Sequence, residues 1–266
     1  MNELLEQLTN FKFDKYTVQA RVRPSLLVLL PALVIIATWL PAVWTILGGI
    51  SALVSACGLI FLLSELARYQ GRKVERKMIA KNGGKFTTIL LRHRDSTISA
   101  ATKRTYHEFL SQNSHRTMPS AETEQADVAA ADDCYCGATE WLLEQTRCEK
   151  SFPLVKAENI SYGFRRNLLG LKSPALALIT ICFLANAFFT LKSFRVGETR
   201  FQLGCILAFA LVAAAAIWIG TIRMDFVEDA GRTYALRLLA QCDVLKTKRN
   251  TMAPTKKHGK VEPSGS

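Results

Sequence analysis

The chain has 266 residues, 49% of them hydrophobic, with a mean hydropathy of +0.13 and a formal net charge of +12. A water-soluble domain rarely combines that hydropathy with 21% charged residues, so the apolar residues must be gathered into blocks. The excess of positive charge comes without an RNA-recognition, zinc-finger or helix-turn-helix pattern, which argues against a nucleic-acid-binding protein.

Residues 1–23 read as an amphipathic segment lying at a membrane surface, with Leu4, Leu5, Leu8, Phe11 and Val18 on its apolar side. The first apolar run begins near residue 24, with no short apolar core and small-residue cleavage site before it, so no cleaved leader is expected. Residues 24–63, 173–191 and 201–222 then contain no Asp, Glu, Lys or Arg over 40, 19 and 22 positions. A hydrocarbon core of ~30 Å needs about 20 helical residues. The two later blocks fit one span each, and the first fits two.

The first block must turn back on itself. Pro41 cannot continue a helical ladder, and Trp39 and Trp44 mark the headgroup level, which places the turn at residues 41–44. A turn at Gly48–Gly49, with Pro41 as a kink, is the alternative. The fold class expected is an all-α membrane protein. Four transmembrane helices form two hairpins, 24–64 and 173–222. A mostly helical cytoplasmic domain, 65–172, lies between them with room for one small strand pair. Lys and Arg near the span ends set the orientation. They are dense before span one (Lys12, Lys15, Arg21, Arg23), after span two (Arg68, Arg72, Lys73, Arg76, Lys77, Lys81), before span three (Arg165, Arg166, Lys172) and after span four (Arg223, Arg232, Arg237). Both termini and the middle segment are therefore expected on the cytoplasmic side of an inner membrane. Lys192, Arg195 and Arg200, between spans three and four, are the dissenting feature.

The second span should continue as a helix to Lys81 and stop at Asn82-Gly83-Gly84, where left-handed backbone is tolerated. Residues 85–91 read as a short strand or an extended loop. Arg92-His93-Arg94-Asp95 follows. Two guanidiniums beside an imidazole and a carboxylate suit a phosphate or nucleotide, and these four residues are the candidate ligand site. The His-Arg-Asp triplet also occurs in kinase catalytic loops, but no Asn at the required spacing, Gly-rich loop or Asp-Phe-Gly accompanies it. Helices are expected over residues 100–112, over 121–148 with an interruption at Gly137, and from Pro153 to the membrane. Residues 65–104 hold 11 basic against 3 acidic residues, and residues 105–158 hold 4 against 10. The basic part suits anionic lipid headgroups.

Within the later spans, Gly204, Ala208, Val212, Ala216 and Gly220 form a seam at spacing four, small except for Val212. Membrane helices associate through such small residues, so Gly204, Ala208, Ala216 and Gly220 are the candidate packing residues and a homo-oligomer is expected. Asn186 is the one amide well inside a span, placed to join an interhelical hydrogen bond. No ionisable residue lies within any span, which disfavours an ion-coupled transporter. Residues 223–245 read as an amphipathic helix able to pack on the extension of span two, and 246–266 as a disordered basic tail.

Cys57, Cys182 and Cys205 lie in spans as small apolar residues. Cys134, Cys136 and Cys148 fall short of a closed four-ligand zinc set, and no metal or other cofactor is expected. There is no phosphate-binding loop, nucleophile elbow, zinc-protease or dinucleotide motif, so an enzyme is not expected. The expected function is an oligomeric effector or channel-like component controlled by its cytoplasmic domain. Its layout resembles that of small bacterial pore-forming effectors of anti-phage defence, a likeness of layout without a shared motif. The alternative is a membrane scaffold that recruits a cytoplasmic protein.

Overall fold

The computed structural model describes residues 15–194 and 198–252. Every regular element among them is helical. The chain divides into two compact units: a larger one from the chain up to Gly84 and from Pro153–Tyr234, and a smaller one from Lys85–Phe152 and the chain from Ala235 onward.

The larger unit contains four helices long and apolar enough to cross a membrane. The first, α1, is Lys15–Trp39. Its residues 15–23 are helical and continuous with the apolar stretch that begins at Pro24. Leu4, Leu5, Leu8 and Phe11 lie outside the described residues. A π-helical turn, Val18–Val22, sits inside α1. A single 3-10 turn, Pro41–Trp44, follows, and Thr45 caps the next helix by accepting the Gly48 amide at 3.1 Å. The chain thus reverses at Pro41, and Gly48 and Gly49 lie within helix α2, Ile46–Asn82. Gly83, at φ 70°, ends α2 in the left-handed conformation.

Helix α7, Pro153–Gly170, leads into α8, Lys172–Ser193, followed by α9, Glu198–Gly220. Among the spans, α1 packs on α2 and on α8, and α8 packs on α9, so α2 and α9 are the edges. A shared apolar core runs through Val28, Ile35, Ala67, Leu171, Ile179 and Leu211. Helix α2 crosses α7 at glycines. A Cβ on Gly170 would stand 2.8 Å from the Gly71 amide nitrogen. At the same level the Asn167 amide donates to the Ala20 carbonyl at 2.6 Å. Ala20 lies in the π turn, where the widened ladder leaves carbonyls short of a helical partner. Ion pairs Arg166–Glu75 (2.7 Å), Arg165–Asp229 (2.7 Å) and Lys81–Glu228 (3.0 Å) tie α2, α7 and the next helix, α10, Met224–Leu239, together beyond the apolar stretch.

The smaller unit holds α3, Phe86–Leu91; α4, Ala100–Ser114; α5, Ala121–Ala126; α6, Val128–Gln145; and α11, Gln241–Met252. The strand expected over residues 85–91 is instead α3. A lone strand would leave its peptide groups without a ladder, whereas a helical turn closes them locally and still buries Phe86, Leu90 and Leu91 on one side. The break expected at Gly137 occurs at Asp127, whose carboxylate caps α6 by accepting the Ala130 amide at 3.0 Å. Gly137 stays helical, and the Arg116 guanidinium occupies the space where a side chain would stand. Helix α11 carries regular structure to Met252, past the residue 245 boundary drawn from sequence.

Candidate functional site

The Arg92–Asp95 segment is the turn between α3 and α4, and its four side chains diverge. Arg92 is buried, and its guanidinium forms a fork with Asp132 on α6, with Nε at 2.8 Å and a terminal nitrogen at 2.6 Å from the two carboxylate oxygens. That hydrogen bond outweighs burial and holds the guanidinium more basic than usual. His93 is exposed but directs Nε2 to the Pro119 carbonyl at 2.9 Å. Arg94 is exposed. Asp95 accepts the amide of Thr97 at 3.0 Å and its hydroxyl at 3.2 Å, closing a local turn. The geometry therefore brings no pair of guanidiniums to one point.

What it does bring together is a set of residues invisible as a motif. Glu124 is 3% exposed, and one of its oxygens receives the His93 amide and the Tyr135 hydroxyl, each at 2.8 Å. Burial alone would raise the Glu124 carboxyl, but the amides of His93 and Arg94 and the Tyr135 hydroxyl outweigh it and hold it below the usual range. Burial and the same carboxylate push the Tyr135 phenol up. Lys103 is 4% exposed, and its ammonium donates to the carbonyls of Arg92, at 2.5 Å, and of Asp95. Burial lowers its pKa, against the pull of Asp95 and Glu124.

His107 places Nε2 2.8 Å from the Leu91 carbonyl and stands edge-on to His93 with ring centres 4.9 Å apart. Facing a carbonyl, each ring carries a proton on Nε2. Burial depresses His107, and the charges of His93 and Lys103 add to that effect against the Leu91 carbonyl and Glu124. A cleft of about 640 Å³ opens beside this cluster, lined by His93, Asp95, Ser99, Lys103, Arg104 and His107. Chemically the cluster is an engaged polar core with a cleft of mixed lining at its rim. Lys103 and His107 are one helical turn apart on α4, and Asp132 and Tyr135 one turn apart on α6. Polar groups at core spacing are the signal that sequence reading missed.

Cys134 and Cys136 point apart. Cys134 donates to the Thr117 carbonyl at 3.1 Å, and Cys136 lies 3.5 Å from Glu140. Among the described residues no group of three or more His, Cys, Asp or Glu could hold a metal ion.

The second polar cluster lies between the spans. Asn186 is fully buried; it accepts from the Trp39 indole at 3.0 Å and donates to the Gly204 carbonyl at 2.9 Å, which links α1, α8 and α9. Gly204 is required there, since a Cβ would stand 2.0 Å from the Thr190 hydroxyl oxygen. The rest of the seam departs from this contact. Ala208 is half-buried, while Val212, Ala216 and Gly220 are exposed. At 3.6 residues per turn, a spacing of four advances by about 40° each step. The face that stays on α8 is instead Gly204, Leu211 and Trp218, at spacing seven.

Comparison with protein-family models, with curated proteins and with solved structures finds no match to this chain.

Proposed function

We propose that this chain is a non-enzymatic, multi-pass inner-membrane protein that acts as an oligomeric, channel-like effector. Its four spans form two hairpins, and the smaller unit lies in the cytoplasm and governs their packing. The observation that carries this reading is the set of small residues left open on the edge spans. Among the described residues, nothing beyond its own stretch of helix lies within 4 Å of the position a Cβ would take on Gly58 of α2 or Gly220 of α9. Ile46 and Leu47 at the start of α2 are 86% and 80% exposed. Small residues on membrane helices favour close helix contact, and among the described residues no helix meets them. In a single copy α2 and α9 lie at the edges of the row of spans, so on this reading conduction takes several copies.

The reading is tested with a membrane-potential dye in expressing bacteria, alongside crosslinking. Depolarisation that weakens in an Ala216→Leu/Gly220→Leu variant, with loss of crosslinked oligomers, is the expected result. A steady potential and a monomeric chain would overturn it.

A scaffold that recruits a cytoplasmic protein is the second reading. It is favoured by the smaller unit, where Arg92, Lys103, Glu124 and His107 are engaged with their own neighbours, as in a rigid binding module.

A further inference from the structure

A groove of about 580 Å³ runs between α1 and α7, lined by Gln19, Arg23, Leu27, Leu30, Ser161 and Phe164 among others. Its chemistry changes along its length. At one end are Gln19 and Arg23, with Ser161 on the facing wall. At the other, Leu26, Leu27 and Leu30 are 41%, 44% and 55% exposed. These α1 residues recur at helical spacing, so one face passes from polar to wholly apolar. The change falls at Arg23, the last charged residue before the charge-free stretch that begins at Pro24. On a helix entering a bilayer, that is the level of the phosphates.

Arg23 is exposed, and no carboxylate or other hydrogen-bonding partner engages its guanidinium among the described residues. By contrast, Arg165 and Arg166, on α7, are both paired with acidic side chains. A guanidinium presents a planar fork that matches a phosphate, and Gln19 and Ser161 add neutral donors near it. From Arg23 to Leu30 the helix rises about 10 Å, at 1.5 Å per residue. An apolar track of that length has no use for a free phosphate, but it suits the upper part of an acyl chain. Phe164 and Ile160 on α7 supply a second wall, which distinguishes a held lipid from the bulk bilayer.

We propose that this groove binds one anionic glycerophospholipid, its phosphate on Arg23 and an acyl chain along Leu26, Leu27 and Leu30. The inference needs the chain to lie in a membrane and is independent of its oligomeric state.

The test is native mass spectrometry of the full chain released from detergent, titrated with phosphatidylglycerol or phosphatidylcholine. The intact protein should retain one phosphatidylglycerol per chain in preference to phosphatidylcholine. Arg23→Gln should weaken that binding by about tenfold or more, as expected for loss of a charge-assisted contact. Arg23→Lys, which keeps the charge and loses the fork, should fall between. Arg72→Gln, on the exposed face of α2, should leave it unchanged. Equal retention by Arg23→Gln, equal retention of the two lipids, or displacement of phosphatidylglycerol by inorganic phosphate or glycerol phosphate would each overturn the proposal. If Arg23→Gln were to aggregate, Leu27→Asn in the apolar half gives an independent reading. It should also lose the lipid, and full retention there would contradict the acyl-chain placement.

Discussion

Asn186 illustrates how one amide can hold three membrane helices. Its side chain bridges the Trp39 indole and the Gly204 carbonyl in a setting with no water to replace either. Asn186→Leu keeps the branched outline, adds bulk and removes both bonds, and should lower stability by about 1–2 kcal/mol, since each such bond contributes ~0.6 kcal/mol on average and the added bulk strains the site further. Unfolding in mixed micelles reads this, and an unchanged transition would mean the bonds contribute nothing net. In the smaller unit the informative residues titrate. His107 is depressed by burial and Glu124 is held low by its donors. In both cases the unfolded chain takes up a proton before the folded one, so stability is full above the unfolded pKa and is lost as pH falls toward the folded value. Acidification below about 6.5 should therefore weaken the unit, first through His107 and then, below about 4.3, through Glu124. Trp141, packed on Phe109 at 6.1 Å, reports on it once Trp39, Trp44 and Trp218 are replaced by Phe. His107→Gln should flatten the first phase, and an identical pH profile in that variant would refute the assignment. Asn186 was legible in the sequence because an amide inside an apolar run has few alternatives. The partnership of Arg92 with Asp132 was not, because the two are 40 positions apart and nothing local marks either as buried.

At the scale of elements, the spans were readable from the length of charge-free sequence, and the turn at Pro41–Trp44 from proline and tryptophan chemistry. Residues 85–91 were misread for an equally physical reason. Phe-Thr-Thr-Ile-Leu-Leu carries strand-forming side chains, but no described segment offers a ladder, and tertiary burial of Phe86, Leu90 and Leu91 selected a short helix. The seam at spacing four was read as one face, whereas a straight helix winds it away from its neighbour after Gly204. The glycine contact of α2 with α7 escaped notice, because Gly71 and Gly170 are single glycines far apart in the sequence. The contact is sensitive to volume. Gly170→Ala places a methyl group 2.8 Å from the backbone of α2, where no side chain can swing aside, and should cost about 1–3 kcal/mol. Gly58→Ala has open space around it and should cost little or nothing. Equal thermal stability of the two variants in detergent would contradict this account of the crossing.

On the scale of the whole molecule, four apolar helices account for the positive mean hydropathy, and the charged residues gather in the segments between and beyond them. The distribution of Lys and Arg gives the orientation proposed here, with Lys192, Arg195 and Arg200 as the only basic residues assigned to the outer side. The most direct test of that layout is cysteine accessibility in spheroplasts, with a membrane-impermeant maleimide applied to single-cysteine chains. Ala42→Cys and Ser193→Cys, at the two turns, should label in intact spheroplasts, and the native, exposed Cys148 should label only after permeabilisation. Labelling of Cys148 in intact spheroplasts, or of Ala42→Cys and Ser193→Cys from opposite sides, would contradict it.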